Sequence, residues 1–116
     1  MIARTWRGST RVEDAEDYLR YLRETGFREY QATPGNRGTL GLRRIVGDRA
    51  ELLLVTLWAD EDSIHGFAGD EIERAVFYPE DDRFLLDREE RVTHFEVVHL
   101  DGADREDHRV VFGRRP

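Results

Sequence analysis

The sequence predicts an α+β domain: one antiparallel sheet with its helices on a single face. Three observations carry this. Alternating and helical hydrophobic periods follow one another as strand, helix, strand, strand, helices, strand. Two of the strands face each other across Gly47-Asp48, where a tight hairpin turn belongs. The second of that pair contains Leu52-Leu53-Leu54-Val55, apolar on both faces, as expected of a strand covered on both sides. The 116 residues suffice for one core and not for two.

Residues 2–7 are expected as the first strand, with Ile2, Arg4 and Trp6 on one face and Ala3, Thr5 and Arg7 on the other. Gly8-Ser9 is expected to break it. Thr10-Arg11-Val12-Glu13 has the form of a capping box for the first helix, whose buried stripe is Val12, Ala15, Leu19 and Leu22 with Tyr18 beside it. Glu16–Arg20 and Arg20–Glu24 are spaced as i,i+4 pairs on its wet face. Gly26 suits a left-handed C-terminal cap, with Phe27 folding back on Leu22. Pro34-Gly35 predicts a type II turn; a phosphate-cradling loop would need more glycines and a following helix N-terminus.

Residues 40–46 and 50–58 form the predicted hairpin. Asp60 then caps a helix from Glu61, with Ile64, Phe67 and Ala68 buried and Gly69-Asp70 interrupting it. Ile72, Ala75 and Val76 predict a further helical turn ended by Pro79. Glu80-Asp81-Asp82 stands where a short helix begins and where its dipole favours acids; no His at ligand spacing supports a metal there. Residues 91–100 are the last predicted strand. Its face Thr93, Phe95, Val97 is apolar or small and is assigned to the core, leaving His94 and Glu96 on the other. The order is that of the ferredoxin-like fold, β-α-β-β-α-β. The domain is placed at 1–100 and a polar tail at 101–116, with one apolar knot, Val110-Val111-Phe112. Asp101, Asp104 and Asp107 do not match EF-hand spacing.

Composition removes several chemistries. There is no Cys, hence no thiolate nucleophile or thiolate metal site. There is no Lys, hence no Schiff-base or P-loop lysine; all 18 basic residues are Arg. Neither of the two serines, Ser9 and Ser63, sits in a G-x-S-x-G turn. The net charge of −7 argues against nucleic acid as partner. No apolar run approaches the roughly 20 residues of a membrane span, and the N-terminus lacks a signal-peptide core, so a cytoplasmic protein is expected. One sheet face has no cover from this chain, and a face-to-face homodimer is the expected remedy.

Glu51-Leu52-Leu53-Leu54-Val55-Thr56-Leu57-Trp58, the acidic turn Asp60-Glu61-Asp62, Ile64-His65-Gly66-Phe67-Ala68 and His94-Phe95-Glu96-Val97 resemble the dimeric α+β barrel superfamily, in particular proteins similar to antibiotic biosynthesis monooxygenases. The likeness spans residues 2–100 in element order. It implies a homodimeric barrel and a cavity between sheet and helices for an aromatic or polyketide-like molecule. It also implies O₂ chemistry without metal, haem or flavin, in which the protein removes a proton, holds the anion and excludes water. A strand-borne Asn of some members is missing, since Asn36, in the Pro-Gly turn, is the single Asn. Phe67 and Phe77 stand where the haem-degrading branch places a Trp and a His, so haem degradation is not expected.

Within that resemblance His94 is the candidate base and Arg44 the candidate enolate stabiliser; the competing readings are a hydrogen-bonded His at a rim or interface, and an Arg paired with Glu51 or Glu96. Arg4 shares Arg44's ambiguity. Trp58, Trp6, Glu96 and Tyr78 are the candidate substrate-contacting residues, against a plain core role for both tryptophans. Tyr18, Tyr21 and Tyr30 cannot be ranked from sequence. His65 is expected to pack partly buried; His99 and His108 are expected in solvent. A non-catalytic small-molecule binder or structural homodimer is the alternative to an oxygenase. A closed cavity over roughly 300 Å³ would favour ligand use, and an aromatic-filled interior the structural role.

Overall fold

The computed structural model describes residues 1–102; the Val110-Val111-Phe112 knot and His108 lie outside them. Strand β1 (Ile2–Arg11) leads through a short 3₁₀ turn (Val12–Asp14) into helices α1 (Ala15–Glu24) and α2 (Gly26–Ala32). The hairpin β2 (Asn36–Val46) and β3 (Arg49–Trp58) follows, then α3 (Glu61–Ala68), α4 (Asp81–Phe84), β4 (Leu85–Arg88) and β5 (Thr93–Glu96). The antiparallel sheet runs β2-β3-β1-β4, with β5 also on β1. β5 pairs with Ile2–Thr5 and β4 with Gly8–Thr10, so the two short strands together serve one edge of β1. The arrangement is the expected α+β, ferredoxin-like one. None of the described helices is long and apolar enough to cross a membrane.

Local chemistry explains several elements. Gly47 takes φ 62° at the first central position of the two-residue turn joining Val46 to Arg49, as a type II′ hairpin requires. Asp60 caps α3 as expected, its Oδ1 accepting from the Ser63 N–H at 2.8 Å and the Ser63 hydroxyl at 2.6 Å.

Other expectations are corrected. β1 does not stop at Gly8-Ser9 but pairs with β3 along its whole length. The Trp6 ring lies across Gly8, where a Cβ would stand 2.5 Å from Trp6 Cη2, so Gly8 is a packing residue and not a breaker. No capping box forms: Thr10 Oγ1 donates to the Arg11 carbonyl instead. Gly26 is not a left-handed cap but the first residue of α2; the helix breaks at Thr25, whose N–H still reaches the Tyr21 and Leu22 carbonyls. Arg20 pairs at i,i+3 with Asp17, and Glu16 with Arg43 of β2, in place of the expected i,i+4 pairs with Arg20.

The helical turn expected at Ile72–Val76 is absent. After Gly69 (φ 81°) ends α3, residues 69–80 cross the body as an irregular strap. The strap is tied by Ala75 N–H to Glu90 O at 2.9 Å and Val92 N–H to Glu73 O at 2.8 Å. Ile72, Ala75 and Phe77 still bury against the core, so their apolar spacing reflects packing without a helix. The last strand is four residues long, and its faces are the reverse of those assigned. Val92 is buried, His94 half-buried and Phe95 54% exposed.

The alternation along β3 divides the sheet. Ala50, Leu52, Leu54, Thr56 and Trp58 are buried toward the helices. There Leu52 and Leu54 join Trp6, Tyr18, Leu22, Phe84 and Val92, and Trp58 joins Tyr30 and Ile64. The register places Leu40 opposite Val55, Leu42 opposite Leu53, and Ala3 between Leu57 and Phe95, all on the other face. That face is apolar and is not covered by the described residues.

Candidate functional site

On the helix side of the sheet, β1 presents Arg4 and Trp6, the two alternate positions that face the strap. Tyr18 of α1, Tyr30 of α2, Phe67 of α3 and the strap residues Ala75–Tyr78 close over them, with Asp81 of α4 at one wall. The cavity between them is about 30 Å³, room for about one water. The interior is filled chiefly by aromatic rings. Phe77 meets Trp6 edge-on at 6.4 Å, and Phe67 lies against Tyr30 at 4.9 Å.

Arg4 is the unusual member. It is only 4% exposed, and it forms no ion pair with any described carboxylate. Its Nη2 donates to two strap carbonyls, Arg74 O at 2.8 Å and Ile72 O at 3.3 Å. The buried Nε has no partner. The Phe67 ring sits 5.5 Å from the guanidinium, within cation–π range. Burial lowers the Arg4 pKa from its ordinary value, and the neighbouring Tyr30 and Tyr78 oppose this.

Three tyrosines and one acid complete the polar ring. Asp81, 3% exposed, accepts from the Tyr18 hydroxyl at 2.9 Å and from the Tyr78 backbone N–H at 2.7 Å. Burial raises its pKa, against the lowering effect of those two hydrogen bonds. Burial and the Asp81 charge raise the Tyr18 pKa; burial pushes Tyr30 up to about 12. The Tyr78 hydroxyl is buried without a hydrogen bond of normal geometry, although Glu29 lies close enough to add to the rise that burial causes in its pKa.

Of the residues singled out from sequence, Trp6 and Tyr78 are in this wall. Trp58 is fully buried behind it, stacked on Phe67 at 5.8 Å, with its indole N–H donating to Thr56 Oγ1 at 2.8 Å. His94 is the register partner of Arg4 on β5 and lies outside the wall, in an open depression with Ile2, Asp60, Glu61 and Glu96. Its buried Nε2 has no partner, and burial followed by the Arg4 charge lowers its pKa. Glu96 is exposed beside it. Arg44 is exposed on the opposite face, paired with Glu51 at 2.7 Å. His65 is exposed rather than packed, its Nδ1 2.8 Å from the Gly69 carbonyl. Tyr18, Tyr30 and Asp81 carried no rank in the sequence. Asp81 had a signal only as the first acid of a short helix, and its partner Tyr18 lies 63 residues away.

No protein-family model matches the sequence, and no curated protein matches it significantly. Solved structures do. A candidate antibiotic biosynthesis monooxygenase from Bacillus cereus superposes with a TM-score of 0.61 at 13% identity, over 88% of this chain and 97% of that one. The Nitrosomonas europaea protein NE2512, of unknown function, gives 0.56 at 13% identity over 89% and 94%. The haem-degrader MhuD of Mycobacterium tuberculosis, with two haems bound in its active site, gives 0.53 at 18% identity over 88% and 100%. The chain therefore has the fold seen in antibiotic biosynthesis monooxygenase-like proteins. The identities are low enough that the likeness is one of fold. No histidine among the described residues lines the cavity, so it offers no imidazole to ligate a haem iron.

Proposed function

We propose that this chain is an oxygenase of small aromatic molecules, admitting its substrate by opening the strap over the one-water cavity and using O₂ without a cofactor. The observation that carries the reading is the pairing of an aromatic wall with unsatisfied buried polar atoms, Arg4 Nε and Tyr78 Oη. Such groups cost stability unless something hydrogen-bonds them. The monooxygenase-like fold supports the choice of reaction.

The substrate class that balances the reaction is an aromatic ketone bearing an activated methylene. Asp81 takes one methylene proton; its raised pKa makes it a better proton acceptor than an ordinary carboxylate. The resulting enolate gives an electron to O₂, and a C–O bond forms to the same carbon. The proton returns to the peroxide. The second C–H bond and the O–O bond then break, leaving a new carbonyl and one water, so the substrate supplies all four electrons. Tyr78 donates to the enolate oxygen, and the strap excludes water. His94, with its lowered pKa and free Nε2 beside Arg4, is the second proton acceptor to test. A second copy covers the open sheet face of Leu40, Leu42, Leu53, Val55, Leu57 and Phe95, and Arg44–Glu51 belongs to that contact.

The small, aromatic-filled cavity favours one alternative, a structural homodimer with no ligand. Oxygen uptake with anthrone and 1-naphthol as test substrates separates the two. Uptake lost in Asp81→Asn and kept in His94→Ala supports the oxygenase with Asp81 as base, and the reverse pattern assigns the base to His94. No uptake across phenolic and anthrone-type compounds favours the structural role.

A further inference from the structure

A buried guanidinium normally has a carboxylate beside it, because an unpaired charge in the interior loses several kcal/mol of hydration. Arg4 has none among the described residues. Its two hydrogen bonds go to neutral carbonyls, and both carbonyls belong to the strap. Its Nε is buried and has no acceptor among the described residues. Arginine cannot shed its proton in a protein, so the charge persists in the empty site. The surrounding surface is flat and aromatic: Trp6, Tyr30, Phe67, Phe77 and Tyr78.

The closed cavity is too small for an organic ligand, so one enters only if the strap over it moves. The strap has no regular structure, it starts at Gly69 (φ 81°), and it is fastened by Arg4 and by the Ala75 and Val92 amide bonds. The same guanidinium is thus one of the roof's fastenings and the one cation among the described residues that line the cavity.

We infer that Arg4 is the anchor for the negative charge of a planar aromatic anion, a carboxylate or enolate, and that such a ligand opens the strap by replacing the Ile72 and Arg74 carbonyls on Arg4. A carboxylate presents two oxygens to Nε and Nη2 in the fork geometry that two separate carbonyls satisfy only at Nη2. The exchange turns an unpaired charge into a paired one, which supplies the free energy for displacing the strap. The inference rests on the cavity being the substrate site and names the ligand class that site selects.

The test uses two probes of nearly identical shape, 2-naphthoate and 2-naphthamide, with the full chain. Binding is followed by quenching of tryptophan fluorescence, since Trp6 lies in the wall. The expected result is at least tenfold tighter binding of 2-naphthoate, the size of a charge-assisted hydrogen-bond preference. Arg4→Gln should level the two probes, and Arg4→Lys should keep part of the preference. In hydrogen exchange on the wild type, 2-naphthoate should speed exchange of the Ala75 and Val92 amides, which the closed strap protects. Equal binding of both probes, no binding of 2-naphthoate at millimolar concentration, or unchanged or slower exchange at those amides in its presence overturns the inference. If Arg4→Gln does not fold, the wild-type probe pair and the exchange measurement still decide. Charge-selective binding with no oxygen uptake on any substrate would sink the oxygenase and leave the anchor standing. Oxygen uptake with no charge preference would do the opposite.

Discussion

Arg4 and Arg44 are both strand residues of one sheet, and they end in opposite circumstances. Arg44 faces away from the helices, is mostly in water, and pairs with Glu51. Arg4 faces the helices, is 4% exposed, and has no carboxylate. A solvated ion pair contributes little and constrains little. A buried charge with one nitrogen unsatisfied is costly, and a fold retains it where it serves something other than stability. The same contrast divides the two faces of the sheet. The helix face is a packed core with one unpaired polar site; the open face carries Leu40, Leu42, Leu53, Val55 and Leu57 and is not covered by the described residues.

The faces should therefore respond differently to large changes. Trp58→Ala, on the helix face, removes a fully buried ring and the support under Phe67, and should cost about 3–5 kcal/mol in denaturant unfolding at any protein concentration. Leu42→Asp, on the open face, should leave the unfolding of the isolated chain nearly unchanged. Its effect should appear in light scattering as loss of the dimer mass at micromolar concentration. If the wild type already has the mass of one chain, the open face has no second copy on it and the comparison loses its second term.

The polar site on the helix face yields a smaller and more specific expectation. Tyr18→Phe withdraws one of two donors from the buried Asp81 and should cost about 1–3 kcal/mol at neutral pH. The pH dependence has a definite sign. The folded Asp81 pKa is raised, so between the ordinary carboxylate value and the raised one the folded state holds more protons than the unfolded state. The contribution of Asp81 to stability is then present at low pH and lost as pH rises through that window. Asp81→Asn has no such titration. Urea unfolding should show the variant gaining on the wild type as pH goes from about 4 to 7. A constant difference across that range would mean that Asp81 is not held with a raised pKa.

Much of this architecture was legible from local pattern, because local pattern is what forms it. The Gly47 turn, the Asp60 cap and the two-faced β3 each depend on a few neighbouring residues. The failures came where distant partners decide. Gly8-Ser9 reads as a break, yet ten residues of pairing with β3 and the Trp6 ring over Gly8 carry the strand through. Ile72, Ala75 and Val76 have helical spacing, but backbone bonds to Glu90 and from Val92 hold the segment as a strap. On β5 the pattern points to the opposite face from the observed one, because Phe95 is the more hydrophobic candidate for a core. The apolar open face changes what "outside" means there, so Phe95 can lie on it while Val92 is buried. The site was half visible. Trp6 and Tyr78 were picked out, but the Arg4–Asp81–Tyr18–Tyr30 ring joins residues from four elements, and no spacing in the chain encodes that meeting.

The smallest effect completes the contrast between the two arginines. In a double-mutant cycle, Arg44→Gln and Glu51→Gln should show a coupling of about 0–1 kcal/mol, as for exposed pairs generally, and the coupling should fade in 1 M salt. The Arg44 side chain is 74% exposed and that of Glu51 39%, so the gain in Coulomb energy is offset by hydration and by the freedom the two side chains lose. That holds for the isolated chain. If a second copy covers the open face, water is excluded from the pair, screening falls, and the coupling should rise and persist in salt. The cycle measured above and below the concentration at which the dimer mass appears therefore reads out whether Arg44 stays the solvated counterpart of Arg4 or becomes, in the assembly, a second buried arginine with its carboxylate already in place.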